Sequence, residues 1–254
     1  MKSVFLFLLT YLLAHVANAQ YPFDQFESPP FKSYSNWKLF ENKAENKIHQ
    51  TITIPAFYAD SSELTIQFTS DRSKKEAKNI IRNYKGKKTI QRFDSEEVDF
   101  LPFNTSRHPI KVADLNGDSL IDIKITYDYN TNGLSLSYRP IYLIQQENST
   151  FIKYSFDNQY EDRIDFERDF DKDGTFEIQS VGMFGQNNHS YWIFQVYKIT
   201  PSGLVEISER VSYPIFIQFL NKRNYKPADI KLTKFERDDI GNLKILTDKG
   251  TMLN

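Results

Sequence analysis

Over much of this chain, apolar and polar residues alternate with a period of two. Thr51-Ile52-Thr53-Ile54 and Leu64-Thr65-Ile66-Gln67-Phe68 each set one apolar face against one polar face, which predicts strands. Ile123 and Ile125, and later Ile178 and Val181, follow two acidic turns and predict further strands. One segment departs from the trend. Ser73 to Tyr84 places Ala77, Ile80, Ile81 and Tyr84 at helical spacing, with Ser73 set to cap and Gly86 to stop a short helix. Its Lys and Arg residues fit a solvated helix face better than a site for an anionic polymer. At the start, Met1-Lys2 leads into an apolar run from Val4 to Val16, closed by Ala17-Asn18-Ala19. That is the pattern of a secretory signal over 1–19. The run is shorter than the roughly 20 apolar residues that span a bilayer. The mature chain is therefore expected to have no membrane span.

The centre of the chain repeats. Asp169 follows Asp114 by 55 residues, and at that offset Ile123 matches Ile178, Tyr142 matches Tyr197 and Ile144 matches Ile199. Beyond a turn the register slips, so Phe151-Ile152-Lys153 falls opposite Leu204-Val205-Glu206. Each unit, about 110–155 and about 165–208, reads acidic loop, strand, polar turn, strand, tight turn, strand. Repeats of this length suit blades that bury apolar faces against one another. A further step of 55 lands on Ala59 or Asn224, and neither opens an acidic loop. The expected fold is all-β, with blade-like antiparallel sheets in a small or partial propeller or as two packed sheets. One short helix and an irregular N-terminal arm over 20–46 complete it. Residues 47–254 are expected to form a single β-rich domain containing both repeats.

Composition narrows the setting. The formal net charge of −1 offers no global field for nucleic acid or an anionic membrane. There is no Cys, so a secreted chain of this kind must rely on its core, a metal or a partner. The 15 Tyr and 21 Phe supply ample core material, and the aromatics within 20–46 argue that this arm lies on the domain. A monomer is expected.

The two acidic loops carry the candidate chemistry. Asp114, Asn116, Asp118 and Asp122 occupy positions 1, 3, 5 and 9 of the first; Asp169, Asp171, Asp173 and Glu177 occupy those positions in the second. The position-7 carbonyls, of Leu120 and Thr175, can add a backbone ligand. Calcium takes six to eight hard oxygen ligands in irregular geometry, and alternate side chains of a tight turn converge on one point. The absence of imidazole or thiolate argues against zinc and copper. The helix-loop-helix calcium motif requires Glu at position 12, where this chain has Ile125 and Ser180. The loops therefore run into strands and are closed by the acid at position 9. With four carboxylates against three, the second loop is expected to bind more tightly. A third fragment, Asp128-Tyr129-Asn130-Thr131-Asn132-Gly133, reads better as a hairpin turn.

This pattern, D-x-[DN]-x-D-x-x-x-[DE] entering a strand, resembles the calcium loop of FG-GAP/VCBS-type repeats. Those repeats build the β-propeller of integrin α-chain heads and of many secreted bacterial proteins. Val112 to Ile123 is the closer match, departing at Ser119 where the family has Gly. The second loop keeps that Gly as Gly174 but has Glu177 where Asp is usual. The resemblance covers roughly 110–207 and implies blade-like sheets with Ca2+ as a structural ion. Asp169 to Ser208 is also similar to periplasmic immunity-type inhibitors of peptidoglycan hydrolases.

Other chemistry is sparse. His49, His108 and His189 form no motif, and nothing selects a catalytic carboxylate pair. His189-Ser190-Tyr191-Trp192 reads as the start of a strand with one packed aromatic face. Asn104, Asn148 and Asn188 head glycosylation patterns that matter only in a eukaryotic secretory pathway. The leading expectation is a secreted or periplasmic calcium-binding protein, a non-enzymatic binding or adhesion module with a protein or glycan partner. The alternatives are an inhibitor of a peptidoglycan hydrolase and a secreted hydrolase with structural calcium.

Overall fold

A computed structural model describes residues 32–41, 49–71, 78–95, 108–129, 137–156, 166–218, 228–232 and 246–252. The predicted signal, and residues 20–31 and 42–46 of the predicted arm, lie outside these. In chain order the strands are β1 (Lys32–Ser33), β2 (Lys38–Phe40), β3 (His49–Ile54), β4 (Leu64–Asp71), β5 (Lys78–Lys85) and β6 (Lys88–Ser95). Next come β7 (Ile110–Ala113), β8 (Asp122–Tyr129), β9 (Ser137–Gln145), β10 (Phe151–Ser155), β11 (Glu167–Asp169) and β12 (Glu177–Gln186). The last are β13 (His189–Thr200), β14 (Gly203–Glu206), β15 (Ile215–Gln218), β16 (Leu246–Asp248) and β17 (Thr251–Met252).

The protein is all-β. Its strands form three antiparallel sheets, none closed into a barrel, and no helix among the described residues reaches seven residues. Each sheet is built on a four-strand meander: β3–β6 in the first, β7–β10 in the middle one, β11–β14 in the last. The two repeats seen in the sequence are the second and third of these. The first meander does not share the 55-residue repeat because its β3–β4 turn, residues 55–63, lacks the acidic spacing.

Apolar faces stack the sheets in order. Ile52, Ile66, Phe68 and Ile81 of the first sheet share a core with Val112, Ile123, Ile125 and Leu143 of the middle one. The opposite face of the middle sheet, through Tyr142, Ile144 and Tyr154, packs on Ile178, Tyr197 and Ile199 of the last. The middle sheet is thus covered on both sides, and residues 139–145 of β9 are buried without interruption. Strands such as β3, buried at every second residue, face a core on one side only.

Three sequence expectations need correction. The predicted helix over 73–84 is a strand wherever it is described. Lys78–Lys85 pairs with β4 on one side and β6 on the other. Ile81 and Asn83 are buried while Ile80 and Arg82 are not, so the period is two. Two backbone ladders outweigh the local helical spacing, and residues 73–77 lie outside the described set. The N-terminal arm is not wholly irregular, since β1 adds to β11 and β2 to β7. Finally, the match of Tyr142 with Tyr197 is not a structural equivalence. Ile123 pairs with Leu143, whereas Ile178 pairs with Tyr197. The second hairpin is one residue shorter, and a one-residue change reverses which way every later side chain faces. Tyr142 and Tyr197 consequently point at each other's sheets and meet across Phe156, at ring distances of 5.4 and 5.8 Å.

An ion pair is sealed in that same interface. The Lys124 ammonium of β8 lies 2.9 Å from the Glu167 carboxylate of β11, with side-chain exposures of 1% and 0%. The Tyr142 hydroxyl donates to the same carboxylate. The third acidic fragment begins inside β8, and Tyr129 pairs with Ser137 across residues that lie outside the described set. Tyr191 and Trp192 lie in β13, as expected.

Candidate metal centre

Both acidic loops join the first and second strands of their meanders, so they emerge at the same end of neighbouring sheets. They touch. A side-chain carbon added at Gly117 of the first would lie 3.9 Å from the Thr175 methyl of the second. Tyr34 wedges between them, with its hydroxyl donating to the Asp114 carbonyl at 3.4 Å and its ring edge-on to Phe176 at 4.8 Å.

The loops share one backbone conformation. Position 4 is left-handed in each, Gly117 at φ +78° and Lys172 at +63°; so is position 6, Ser119 at +69° and Gly174 at +89°. Glycine occupies one of these two positions in each loop, and a non-glycine residue bears the strain at the other. The position-9 acid plays the same part in both. Asp122 accepts the Leu115 amide at 3.1 Å and the Gln145 amide at 3.0 Å. Glu177 accepts the Phe170 amide at 2.9 Å.

The loops differ in how their charge is met. In the first, Asp114 turns its carboxylate inward and accepts the amides of Gly117, Asp118 and Ser119 at 2.8–3.1 Å. Asp118 accepts the Leu120 amide at 2.8 Å and the Asn116 side-chain amide at 2.9 Å. Among the described residues, no Lys or Arg pairs with Asp114, Asp118 or Asp122. Burial pushes the Asp122 carboxyl up to about 7, against the pull of its two amides and with help from Asp118 and Asp114.

In the second loop the carboxylates converge. Oxygens of Asp169, Asp171 and Glu177 lie within 4.8 Å of one another, the one such group of three among the described residues. Asp169 Oδ2 accepts the Gly174 amide at 3.2 Å, while its Oδ1 is buried with no hydrogen-bond partner. Lys198 enters the group from β13, one step along the ladder from the Ile178–Tyr197 pair. Its ammonium lies 3.1 Å from Asp171, 3.0 Å from Glu177, and also donates to Asp173. Burial opposes the Lys198 charge, but these carboxylates outweigh it and hold the ammonium above its ordinary pKa. Lys198 in turn holds Asp173 well below the usual carboxylate range, with Thr175 assisting. Glu177 stays raised by burial despite Lys198 and the Phe170 amide.

All ten predicted ligand residues therefore sit in two adjoining turns, but only the second brings three carboxylates to a point. The first spends its carboxylates on its own amides. Sequence reading missed Lys198, whose signal is faint: a cation in an otherwise apolar stretch of strand, 21 residues after the loop's closing acid.

A scan against protein-family models, a search of curated proteins and a search of solved structures each found no match.

Proposed function

We propose that this is a secreted or periplasmic calcium-binding protein, a non-enzymatic binding or adhesion module in which Ca2+ braces neighbouring strand ends. The convergence of Asp169, Asp171 and Glu177 carries the reading. Their donor set is all oxygen, the hard type calcium takes. The orphaned Asp169 Oδ1 is a buried acceptor that lacks a donor, and the Lys198 ammonium is a stand-in cation bonded to three of the loop's acids. The ion would be held by Asp169, Asp171, Asp173 and Glu177 with the Thr175 carbonyl, and a weaker one by Asp114, Asn116, Asp118 and Asp122 with the Leu120 carbonyl. When bound, it supplies charge neutralisation and crosslinking of a turn, not reaction chemistry. In this reading the loops belong with FG-GAP/VCBS-type repeats.

Calorimetric titration of the full chain with calcium tests the proposal. Saturable binding that Asp169→Asn with Asp171→Asn weakens by tenfold or more is the expected result. Absence of binding at millimolar calcium would sink it.

A further inference from the structure

Lys198 distinguishes the two loops more sharply than their acid count does. The hairpin registers make Ile144 its structural counterpart in the middle sheet. There the end of the third strand sends in a neutral group, Gln145, whose side-chain oxygen accepts the Ile121 amide at 3.1 Å. The first sheet resembles the last. Lys85, at the end of β5, reaches the β3–β4 turn and pairs with Asp60 at 2.8 Å. Two of the three meanders thus neutralise the turn between their first and second strands with a lysine from the third strand. In the last, that lysine sits among the carboxylates proposed as metal ligands, with only 20% of its side chain exposed.

An ammonium and a divalent cation cannot share those oxygens. Like charges at such separation repel strongly, and each Lys198 bond uses an acceptor the metal would need. We propose that Lys198 is a tethered cation that holds the Asp169–Glu177 loop folded without metal, and that it must swing out before a divalent ion binds there. This rests on the calcium reading, and it deepens that reading by naming the residue that sets the affinity. The long unbranched stem makes the swing feasible, because Lys198 lies near the strand end and is partly open to solvent. It gives the loop two folded forms, one closed by the side chain and one by the ion.

The test compares wild type with Lys198→Met, which keeps most of the stem, and Lys198→Gln, which keeps a donor without charge. Calcium titration and thermal melting in chelator are read for all three. The expected result is about tenfold or greater tightening for calcium in both variants, since no ammonium–carboxylate pair then needs breaking and no positive charge opposes the ion. Their melting temperatures in chelator should fall, and calcium should restore them. If Lys198→Met fails to fold in chelator but folds in calcium, that also supports the proposal, and Lys198→Gln supplies the affinity. Calcium binding with equal affinity in all three proteins would overturn the proposal while leaving the calcium reading intact. No binding by any of them would overturn the calcium reading and the displacement step with it; a lower melting temperature in chelator would then show Lys198 as a purely structural cation.

Discussion

The ion pair between Lys124 and Glu167 offers a quantitative check on how the last two sheets dock. Both side chains are withdrawn from water, at 1% and 0% exposure. Lys124→Met removes the ammonium and keeps much of the stem. The Glu167 carboxylate is then left with the Tyr142 hydroxyl, and the Trp37, Phe166 and Tyr142 rings lose the ammonium they flank. Breaking a buried pair by removing one partner costs about 3–5 kcal/mol, out of a net stability of roughly 5–15 kcal/mol. At about 2–4 °C per kcal/mol for a domain of 150–250 residues, the melting temperature should fall by roughly 6–20 °C. Replacing both partners, as Lys124→Met with Glu167→Leu, should recover most of that loss, because the desolvation cost of a buried pair can match or exceed the attraction within it. Urea unfolding followed by the fluorescence of Trp37 and Trp192 measures all the variants in one double-mutant cycle. A cost below about 1 kcal/mol for Lys124→Met, the range of exposed pairs, would refute the buried interface between these sheets.

Three further outcomes follow from other parts of the fold. Ser119→Gly and Lys172→Gly each relieve a left-handed residue in an acidic loop and should stabilise by up to about 1 kcal/mol in urea titrations; a loss would mean those backbone angles are not as described. Gln91 accepts the Phe151 amide at 2.8 Å and donates to the Phe151 carbonyl at 2.7 Å and to the Lys249 carbonyl. It thereby ties the first sheet to the middle one and to the C-terminal strands, so Gln91→Leu should cost about 2–4 kcal/mol, and exchange protection of the Phe151 amide should drop. Burial, reinforced by Glu206, raises the Tyr197 phenol above its ordinary 10.0. The unfolded chain ionises first, so stability is full below pH 10 and is lost as pH rises beyond it; Tyr197→Phe should flatten that alkaline decline.

The strands of the central meanders were legible because their apolar residues alternate or run unbroken, and the acidic loops were legible from spacing alone. Three things were not. The strand at Lys78–Lys85 carries a helical spacing of apolar residues that only its two neighbouring ladders override. The first meander shares architecture with the other two but not their loop chemistry, so a residue-by-residue repeat cannot reveal it. The one-residue difference between hairpins shifts Lys198 onto the face of Glu177, and no offset taken from the loops predicts that. The same shift explains why the matched tyrosines meet instead of stacking in parallel. Lys124 and Glu167 are equally silent in sequence, since an isolated Lys and Glu read as surface residues until the sheets close over them.

The most direct measurement is thermal melting of the full chain in chelator and in calcium, beside the Asp169→Asn with Asp171→Asn variant. Calcium at about 100 times its dissociation constant should add about 2.7 kcal/mol, a rise of roughly 5–10 °C for a domain of 150–250 residues. The account predicts that rise in wild type and most of it lost in the variant. Identical melting of wild type in chelator and in saturating calcium would contradict it.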